Sequence, residues 1–402
     1  MSSARPRVLL VHRFFEPDAT TYSRMLAMIG RELAASGYDV TVFSTQPSYN
    51  DSYDGPPLAP LSMESGVTVR RTNIPGGGSS TGRLAGGVVF CALLLLHVLR
   101  NRKCYDLIMV STVPPVLMGA TGRLAAKLAK ARFVYHCMDI YPEIALYSGL
   151  INDGMAARLA RWLDGWSMRG ASEVIVLSED MEALVKDRAK NASITVLNNF
   201  SIGSPITGPA PATENDRFEL IFAGNLGRFQ GLETLLEGFA DFMRDGRSAR
   251  LTFLGNGVLR DRLSDLACEL GVGDSVAFPG HVPYATASEK IASSDLAIVT
   301  LAPRLIRAAY PSKTITYLEQ GARVLAIVES PSSLADLINE NNLGSVAEPG
   351  HRAAIAEAIA REYERTWDHE DRHRAHATAE SSFSAARVLP EWPRLLTAGG
   401  DQ

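Results

Sequence analysis

Cysteine is scarce in this sequence, with four residues among 402, at positions 91, 104, 137 and 268. They form no Cys-x-x-Cys pair and no regular spacing, which excludes a disulfide framework and favours a reducing compartment. An excess of charge of one sign is also lacking, because 40 Lys and Arg residues nearly balance 44 Asp and Glu residues. The formal net charge of −4 therefore gives no reason to expect nucleic acid as a partner.

Long apolar runs are missing as well. The longest, residues 84–99, falls short of the roughly 20 residues that a membrane-spanning helix needs. A helix buried in the core explains this run, and so does a helix that lies on a membrane surface and is held there by basic residues at its ends. Those basic residues are Arg83, Arg100, Arg102 and Lys103.

We expect no signal peptide, because the first apolar segment, residues 7–12, begins almost at the N-terminus. Together with the cysteine usage, this predicts a cytoplasmic protein. If residues 84–99 lie on a membrane surface, the protein is expected to be peripheral at the inner face of that membrane.

The alternation of apolar runs with helical segments indicates an α/β protein. At 46% hydrophobic residues and 402 residues in length, the chain can form more than one large core. Residues 203–217, rich in Pro and Gly and without apolar periodicity, are predicted to be a linker. On either side we predict a doubly wound domain, residues 1–202 and 218–380, the two facing each other across a cleft. A last helix, residues 381–396, is expected to pack back on the first domain.

The predicted strands are mostly short apolar runs. In the first domain they are residues 7–12, 39–44, 67–74, 106–111, 133–143, 173–178 and 193–199. The loop after the first strand contains no Gly-x-Gly-x-x-Gly fingerprint, which excludes a dinucleotide site of that kind. It holds Asp18, Thr20 and Thr21 instead, and Arg24 begins the next predicted helix, residues 24–36.

Two glycine-containing loops follow strands of the second domain, GNLG at residues 224–227 and GNG at residues 255–257. Each precedes a predicted helix. Glycine allows the backbone to approach a ligand closely, and a helix N-terminus favours phosphate. Either loop alone is a weak signal, but together they predict a ligand site at one sheet edge.

A third helix start is predicted in YPSKTITYLEQG, residues 310–321. Pro311 suits the first position of a helix, and Gly321 suits its end. Ser312 and Lys313 then lie in the first turn, where backbone N–H groups, a hydroxyl and an ammonium would converge on a phosphate. Apolar runs on both sides place this turn at the C-terminal edge of a parallel sheet, where open α/β folds bind ligands. An ordinary capped helix is the alternative.

Three titratable residues, His136, Asp139 and Glu143, lie at or just beyond the end of the predicted strand 133–143. Period-2 alternation puts His136 and Asp139 on opposite faces unless the strand has already ended. They are candidates for acid–base chemistry, and each is equally well explained as a hydrogen-bonded structural group.

Several blocks occur in order along nearly the whole chain: FFEPDATTYSRMLAMIGRELAASGYDVTVFST, DIYPE, VIVLSEDM, VLNNF, FAGNLGRFQGLETLLEGF, FLGNG, FPGHV and YPSKTITYLEQGARVLAIVES. In this order they resemble glycosyltransferase family 4, whose GT-B fold has two Rossmann-like domains. Within the family, the chain is similar to the N-acetylfucosaminyl- and O-antigen-type sugar transferases. The resemblance implies sugar transfer from a nucleotide diphosphate donor, with UDP expected, and with retention of the anomeric configuration. It also implies that the protein holds no metal and no cofactor.

The resemblance further implies an acceptor hydroxyl on a lipid-linked saccharide in cell-surface polysaccharide synthesis, with a soluble small molecule as the alternative. It implies that the nucleotide sugar contacts the following residues: Gly224, Asn225, Gly227, Arg228, Gly255, Gly257, His281, Val282, Pro311, Ser312, Lys313 and Thr316. The implied acceptor-binding residues are Asp18, Thr20, Thr21 and Arg24. His136, Asp139 and Glu143 are then the catalytic candidates.

The sequence departs from the family at the donor site. Ala308 and Thr316 stand where the family has two glutamates, the second of which holds the donor ribose. Asn225 and Gln230 stand where it commonly has Arg and Lys, so Arg228 and Lys313 are the cations that can replace that charge.

The chemistry of sugar transfer sets its own requirements. Without a metal, helix N-termini and cations such as Lys313 and Arg228 must stabilise the leaving diphosphate. In a front-face reaction the departing phosphate oxygen takes the acceptor proton, while Asp139 or His136 orients the hydroxyl or assists as a base.

Three other interpretations are open. An epimerase or hydrolase on the same scaffold would consume the nucleotide sugar without an acceptor, and a non-catalytic subunit would bind a nucleotide or a partner enzyme. His369, His373 and His376 have helical spacing for a zinc site, but they lie among charged residues and a solvated helix face explains them better.

Overall fold

The computed structural model describes residues 5–18, 20–48, 53, 55–74, 80–203 and 217–397, with only the backbone described for residues 80, 81 and 83. The chain divides into two units, each with its own sheet. The first unit comprises Met1–Leu146, Ile151–Ile202 and Ala385–Gln402, and the second comprises Tyr147–Leu150 and Gly203–Ser384. The predicted α/β class with two parallel-sheet, Rossmann-like domains is confirmed. Residues 204–216 of the predicted linker lie outside the described residues.

Within the described ranges, eight strands form the sheet of the first unit: β1 (Arg7–Val11), β2 (Asp39–Thr45), β3 (Leu61–Glu64), β4 (Val67–Thr72), β5 (Leu107–Val110), β6 (Arg132–His136), β7 (Glu173–Val176) and β8 (Ile194–Val196). Their spatial order is β3-β4-β2-β1-β5-β6-β7-β8, and every pairing is parallel except β3 with β4. The strand order reverses between β1 and β5, and in open α/β sheets ligands bind beyond the carboxyl ends of the strands at such a point.

In the described part of residues 1–202, six helices accompany this sheet: α1 (Thr21–Ala35), α2 (Ser80–Arg100), α3 (Leu117–Ala129), α4 (Glu143–Tyr147), α5 (Met155–Met168) and α6 (Glu179–Arg188). Helix α1 begins three residues before its predicted start, because the Thr20 hydroxyl accepts a hydrogen bond of 3.0 Å from the Ser23 amide and caps the helix. Met25, Leu26, Ile29 and Leu33 then form a buried stripe at helical spacing.

Helix α2 buries one apolar face and exposes another. Phe90, Leu94 and Val98 are fully buried, whereas Leu84 and Val88 are 63% and 51% exposed. The helix is longer than predicted and extends from Ser80 to Arg100. Among the described helices, none combines the length and the apolar character needed to cross a membrane.

In the part of the second unit that the structure describes, six parallel strands form the sheet: β9 (Phe218–Ala223), β10 (Ala249–Leu254), β11 (Val276–Gly280), β12 (Leu296–Thr300), β13 (Val324–Ile327) and β14 (Gly344–Ala347). Their spatial order is β11-β10-β9-β12-β13-β14, so the reversal falls between β9 and β12. Buried Leu, Ile, Val and Phe residues fill these strands, as expected of a parallel sheet covered on both faces.

Among the described residues of the second unit there are seven helices: α7 (Leu232–Met243), α8 (Arg260–Glu269), α9 (Tyr284–Ala292), α10 (Lys313–Glu319), α11 (Ser333–Glu340), α12 (Arg352–Glu364) and α13 (His369–Phe383). Short 3-10 turns lie at Arg228–Gln230, Gly273–Ser275 and Leu305–Arg307. Helices α7 and α12 pack very closely, since a Cβ atom at Gly238 would lie 2.7 Å from Cγ2 of Ile355.

The C-terminal segment differs from the single helix predicted over residues 381–396. Helix α13 ends at Phe383, and two short helices follow, α14 (Ala385–Val388) and α15 (Glu391–Thr397). Pro390 lies between them, where it cannot continue a helix from the preceding turn. Trp392 and Leu396 of α15 are buried in the core of the first unit.

Candidate active site

Glycine residues bring two loops together at the C-terminal edge of the second sheet. Gly224 follows β9 with φ of +143°, and Gly255 follows β10 with φ of +134°. A Cβ atom at Gly255 would lie 2.0 Å from the Gly224 carbonyl oxygen, and one at Gly257 would lie 2.3 Å from the Leu226 carbonyl oxygen. The loop at residues 255–257 therefore accepts no side chain at these two positions, because it lies directly against the backbone of the loop at residues 224–227. The approach of a ligand to these glycines stays a prediction.

Lys313 lies directly against the first of these loops. A Cβ atom at Gly224 would lie 2.3 Å from Cε of Lys313, so the side chain occupies the space that glycine leaves. The ammonium donates a hydrogen bond of 2.8 Å to Oε1 of Gln230 and lies 4.2 Å from the centre of the Phe222 ring. Burial of this ammonium lowers the pKa of Lys313 to about 7. Lys313 thus places an ammonium, whose charge depends on pH near neutrality, at the strand reversal between β9 and β12.

The helix predicted to start at Pro311 begins at Lys313 instead, and this corrects one part of the expected phosphate site. The amides of Thr314 and Ile315 donate to the carbonyls of Pro311 and Ser312, at 3.1 and 3.2 Å. Two of the N–H groups expected to be free are therefore used in the turn. The Lys313 side chain, rather than the seven-residue helix, is the group that can meet a phosphate here. Gly321 ends the helix with φ of +66°, as predicted.

The other residues predicted to bind the nucleotide sugar lie at the same edge, and they differ in how exposed they are to solvent. Asn225 and Arg228 are exposed in the loop after β9, and Gly227 is buried. His281 is exposed and Val282 is half-buried in the loop after β11. Helices α7 and α8 begin only at Leu232 and Arg260, several residues after the two glycine loops. At the edge of the sheet, therefore, lie the two glycine loops themselves and not the N-termini of α7 and α8.

The positions of the two missing family glutamates differ in their surroundings. Ala308 is fully buried, and Thr316 is half-buried on α10. Beside Thr316, the Tyr317 hydroxyl accepts a hydrogen bond of 2.8 Å from the Ala223 amide and fixes the helix to the end of β9. Neither position supplies a carboxylate.

A chain of aromatic and histidine rings lies at the carboxyl ends of the central strands in the first unit. The Tyr22 hydroxyl is 2.9 Å from Nδ1 of His136, and the ring of His12 is 4.6 Å from that of Tyr22. The ring of Trp392, on α15, lies 4.9 Å from that of His136. His136 Nε2 and Trp392 Nε1 are buried and have no hydrogen-bond partner in the described part of the chain. Burial lowers the pKa of His136 to about 3, so the imidazole is neutral near pH 7.

His12, Tyr22 and Trp392 were not predicted as site residues. His12 ends the first strand run and its Nδ1 lies 2.5 Å from the Ser111 hydroxyl, beyond the end of β5. The histidine at a strand end was a usable signal, because strand ends of one parallel sheet share an edge. Trp392 gave no such signal, since only the tertiary structure brings it to His136.

Asp139 lies beyond the end of β6, which corrects the predicted strand 133–143. The strand ends at His136, so the period-2 argument does not apply to Asp139. Burial raises the pKa of Asp139 to about 6. The residues that the structure describes give its carboxylate no hydrogen bond. Asp139 is therefore a carboxylate suited to accept a proton close to neutral pH.

Glu143 is held in a buried ion network. Its carboxylate pairs with Arg188 and, at 3.0 Å, with Arg161, while Arg188 also pairs with Asp164. Tyr135 donates a hydrogen bond of 3.0 Å to Asp164. These contacts account for Glu143 as a structural group that joins α4, α5 and α6, and they leave Asp139 and His136 as the better catalytic candidates.

The predicted acceptor residues surround the start of α1. Asp18 is buried, and its Oδ1 accepts a hydrogen bond of 2.9 Å from the Ser48 amide. Thr20 caps the helix, whereas Thr21 and Arg24 are exposed. Asp18 and Thr20 thus stabilise the loop, and Thr21 and Arg24 are free to meet a ligand from solvent.

Within the described ranges, no three His, Cys, Asp or Glu residues come together in a way that could hold a metal ion. His369, His373 and His376 of α13 therefore form no such group either. His376 packs against Gly321, at the end of α10.

Comparison with protein families matches both units. Residues 20–199 match the family described as "Glycosyl transferase 4-like domain", and residues 209–381 match "Glycosyl transferases group 1". The chain is a family 4-like glycosyltransferase with the GT-B fold. It is 26% identical over 285 residues to WbjE of Pseudomonas aeruginosa, described as a glycosyltransferase, a match that covers 67% of this chain and 70% of WbjE. It is 24% identical to WcaI of Escherichia coli, described as a colanic acid biosynthesis glycosyl transferase, over 91% of this chain and 97% of WcaI.

Solved structures show the same fold. Sucrose-phosphate synthase of Thermosynechococcus elongatus superposes with a TM-score of 0.77 at 16% identity, over 98% of this glycosyltransferase and 99% of that chain. HepE of Anabaena, solved in complex with UDP and glucose, superposes with a TM-score of 0.67 at 19% identity, over 98% and 100% of the two chains. At these identities the similarity establishes the fold.

The ion network around Arg188 allows a test of the structural role of Glu143. Replacing Arg188 by Met leaves two buried carboxylates, Glu143 and Asp164, without their shared cation. We expect the free energy of unfolding to fall by about 3–5 kcal/mol, measured by urea denaturation at pH 7. The control is Arg352→Met, which removes a half-exposed ion pair with Asp241 in the second unit and should change stability little. Equal stability of the Arg188 variant and the wild type would contradict a structural network.

Proposed function

We propose that this glycosyltransferase transfers a sugar from a UDP-linked donor to an acceptor hydroxyl and retains the anomeric configuration. The observation that carries the proposal is the Lys313 side chain, which lies against Gly224, a position whose φ of +143° favours glycine. Glycine backbone and a cation favour diphosphate binding, and Gly224 and Lys313 supply them at the strand reversal of the second sheet. The UDP complex of HepE, a protein of the same fold, supports the choice of nucleotide.

The leaving diphosphate gains negative charge as the sugar–phosphate bond breaks. A cation already held beside the leaving phosphate oxygen stabilises the transition state more than the ground state. Lys313 suits this role because its Gln230 hydrogen bond and the Phe222 ring fix the ammonium in place. A bound diphosphate would favour the charged form, so we infer that donor binding keeps Lys313 protonated.

The acceptor hydroxyl is proposed to bind at the first unit, near Asp139, Thr21 and Arg24. In a front-face reaction the leaving phosphate oxygen takes the acceptor proton, so the protein needs to orient the hydroxyl more than to ionise it. Asp139 has no competing hydrogen bond among the described residues, and its raised pKa suits a group that accepts a hydroxyl proton transiently. His136 remains neutral and is proposed to keep this edge of the sheet ordered.

Replacement of Lys313 by Ala tests the phosphate site. We expect weaker UDP binding and slower turnover, with a combined loss of about 2–4 kcal/mol in transition-state stabilisation. In the wild type, the affinity for UDP-glucose should be constant below pH 7 and fall as pH rises above 7, because free Lys313 then loses its proton. Titration calorimetry between pH 6 and pH 8.5 measures the affinities and their pH dependence, and a transfer assay measures turnover.

The matched control is Lys290→Ala, which removes an exposed lysine of α9 in the same unit. It should bind UDP as the wild type does. A folded Lys313→Ala variant with wild-type affinity and turnover would place the diphosphate elsewhere. UDP binding with no transfer to any acceptor would favour the non-catalytic subunit, and consumption of donor without acceptor would favour a hydrolase or an epimerase.

We further propose that the acceptor is lipid-linked and that the first unit docks on an anionic membrane. The observation behind this is a face formed by α2, α3 and α5, in which α3 packs against both neighbours. Its exposed apolar residues are Leu84, Val88, Leu96, Leu99, Leu124, Leu128, Met155, Leu159 and Trp162. Such an extended exposed apolar surface is typical of an interaction site.

This face is also free of exposed acids within its helices. Helices α2 and α3 contain no Asp or Glu, and the single acid of α5, Asp164, is buried. Exposed cations lie on these helices or within three residues of their ends, namely Arg100, Arg102, Lys103, Lys127, Lys130, Arg158 and Arg169. The combination of apolar side chains and positive charge matches anionic lipid. The description of WcaI as a colanic acid biosynthesis enzyme supports a polysaccharide precursor as acceptor.

A vesicle sedimentation assay tests the membrane proposal. Each basic residue near an anionic surface contributes about 1 kcal/mol, so reversal of three charges should abolish binding. We expect the wild type to sediment with phosphatidylglycerol vesicles at low salt, and the triple variant Arg100→Glu, Arg102→Glu, Lys103→Glu to stay in the supernatant.

The control changes the same net charge in the second unit, at the exposed residues Arg260, Arg262 and Lys290, each replaced by Glu. This variant should still sediment. If the wild type itself remains in the supernatant, the membrane proposal is wrong and a soluble acceptor becomes the better interpretation.

A further inference from the structure

A carboxylate with one unpartnered oxygen lies at the C-terminal edge of the second sheet. Glu329 follows β13 by two residues, and the Val328 amide still donates to the Ala347 carbonyl of β14 at 3.1 Å. The position of Glu329 is therefore fixed by the sheet. It belongs to the edge that also holds the Gly224 and Gly255 loops, because all strands of this sheet are parallel.

Each oxygen of this carboxylate has a different environment. Oε1 accepts a hydrogen bond from the Arg304 amide. Oε2 is buried and has no hydrogen-bond partner among the described residues. Neither oxygen forms an ion pair with any Lys or Arg that the structure describes. A buried carboxylate oxygen without a partner is unfavourable unless a ligand or water satisfies it.

The surroundings of Glu329 connect it to the lysine site. The Leu301 amide donates to the Ile327 carbonyl at 3.2 Å, and the Ala302 amide donates to the Phe229 carbonyl at 2.9 Å. The Thr300 hydroxyl donates to the carbonyl of Gln230 at 2.8 Å, and the Gln230 side chain holds Lys313. One continuous hydrogen-bonded segment therefore leads from the ammonium to the loop that carries Arg304.

Arg304 adopts a conformation that presents its amide to Glu329. Its φ is +71°, in the left-handed region that few residues other than glycine adopt. Its guanidinium stacks 4.4 Å from the centre of the Tyr147 ring and so does not neutralise the carboxylate. The loop thus holds Glu329 with one oxygen bound to the Arg304 amide and the other buried, without a partner among the described residues.

We propose that Oε2 of Glu329 accepts hydrogen bonds from hydroxyl groups of the bound nucleotide sugar. An ionised carboxylate is purely an acceptor, and vicinal hydroxyls are the donors that it binds well. The ligand chemistry is a sugar diol, either of the transferred glycosyl group or of the ribose. The inference rests on the proposed donor site, and it explains how the site has a carboxylate although Ala308 and Thr316 supply none.

The test is the variant Glu329→Gln, studied by titration calorimetry with UDP, 2′-deoxy-UDP and a panel of UDP-sugars. Gln keeps an oxygen for the Arg304 amide and replaces Oε2 by a nitrogen that cannot accept. We expect affinity for the UDP-sugar that the wild type binds best to fall about tenfold. If the diol belongs to the glycosyl group, UDP affinity stays unchanged. If it belongs to the ribose, UDP affinity falls as well, and the loss caused by the substitution is smaller for 2′-deoxy-UDP, which has one hydroxyl of the diol, than for UDP.

Glu348→Gln is the matched control, since Glu348 is exposed and follows the neighbouring strand β14 directly. It should bind every ligand as the wild type does. If the Gln variant fails to fold, Glu329→Asp keeps the charge, withdraws the oxygen by one methylene and should show the same loss. Wild-type affinities in a folded Glu329 variant would overturn the inference while leaving the donor site intact. Failure of the wild type to bind any of these nucleotides would overturn the donor site and this inference together.

Discussion

The contact between the Gly224 and Gly255 loops is the constraint on which the donor side of this glycosyltransferase depends. The Gly255 amide donates to the Gly280 carbonyl, the Gly224 amide to the Leu254 carbonyl and the Leu226 amide to the Asn256 carbonyl. These bonds join the ends of three neighbouring strands without any side chain between them. The space that remains above Gly224 is filled by Lys313. The position of the cation therefore follows from the absence of a Cβ atom, and a larger residue at either glycine would displace it.

Much of the fold could be predicted from the sequence because buried parallel strands and the glycines after them leave strong local patterns. Strands β1, β2, β4 and β7 begin at the predicted residues. The element boundaries that were predicted wrongly lie where the local sequence is compatible with more than one secondary structure. Pro311 is compatible with a first helical position, but the turn hydrogen bonds delay the helix to Lys313. The run after His136 looked like a continuing strand, although its apolar residues pack in a loop.

The candidate site was less predictable, because side-chain partners come from distant parts of the chain. Spacing singled out Glu143 as readily as Asp139, and only the contacts with Arg161 and Arg188 separate a bound carboxylate from an open one. The pairing of His136 with Tyr22 and Trp392 depends in the same way on tertiary structure. The apolar runs on both sides of residues 310–321, in contrast, were enough to predict that Lys313 lies at the C-terminal edge of the second sheet, and its role at a phosphate stays a prediction.

The return of the chain end to the first unit limits how this enzyme can be divided. The Leu396 carbonyl accepts a hydrogen bond of 2.6 Å from Arg132, and the Tyr38 hydroxyl donates to the Pro393 carbonyl at 3.2 Å. The first unit is thus built from segments at both ends of the polypeptide. A chimaera that exchanges donor units between related enzymes must splice at two places, near residues 203 and 384, rather than fuse one half to another. A fragment ending near residue 202 would lack Trp392 and expose part of its own core.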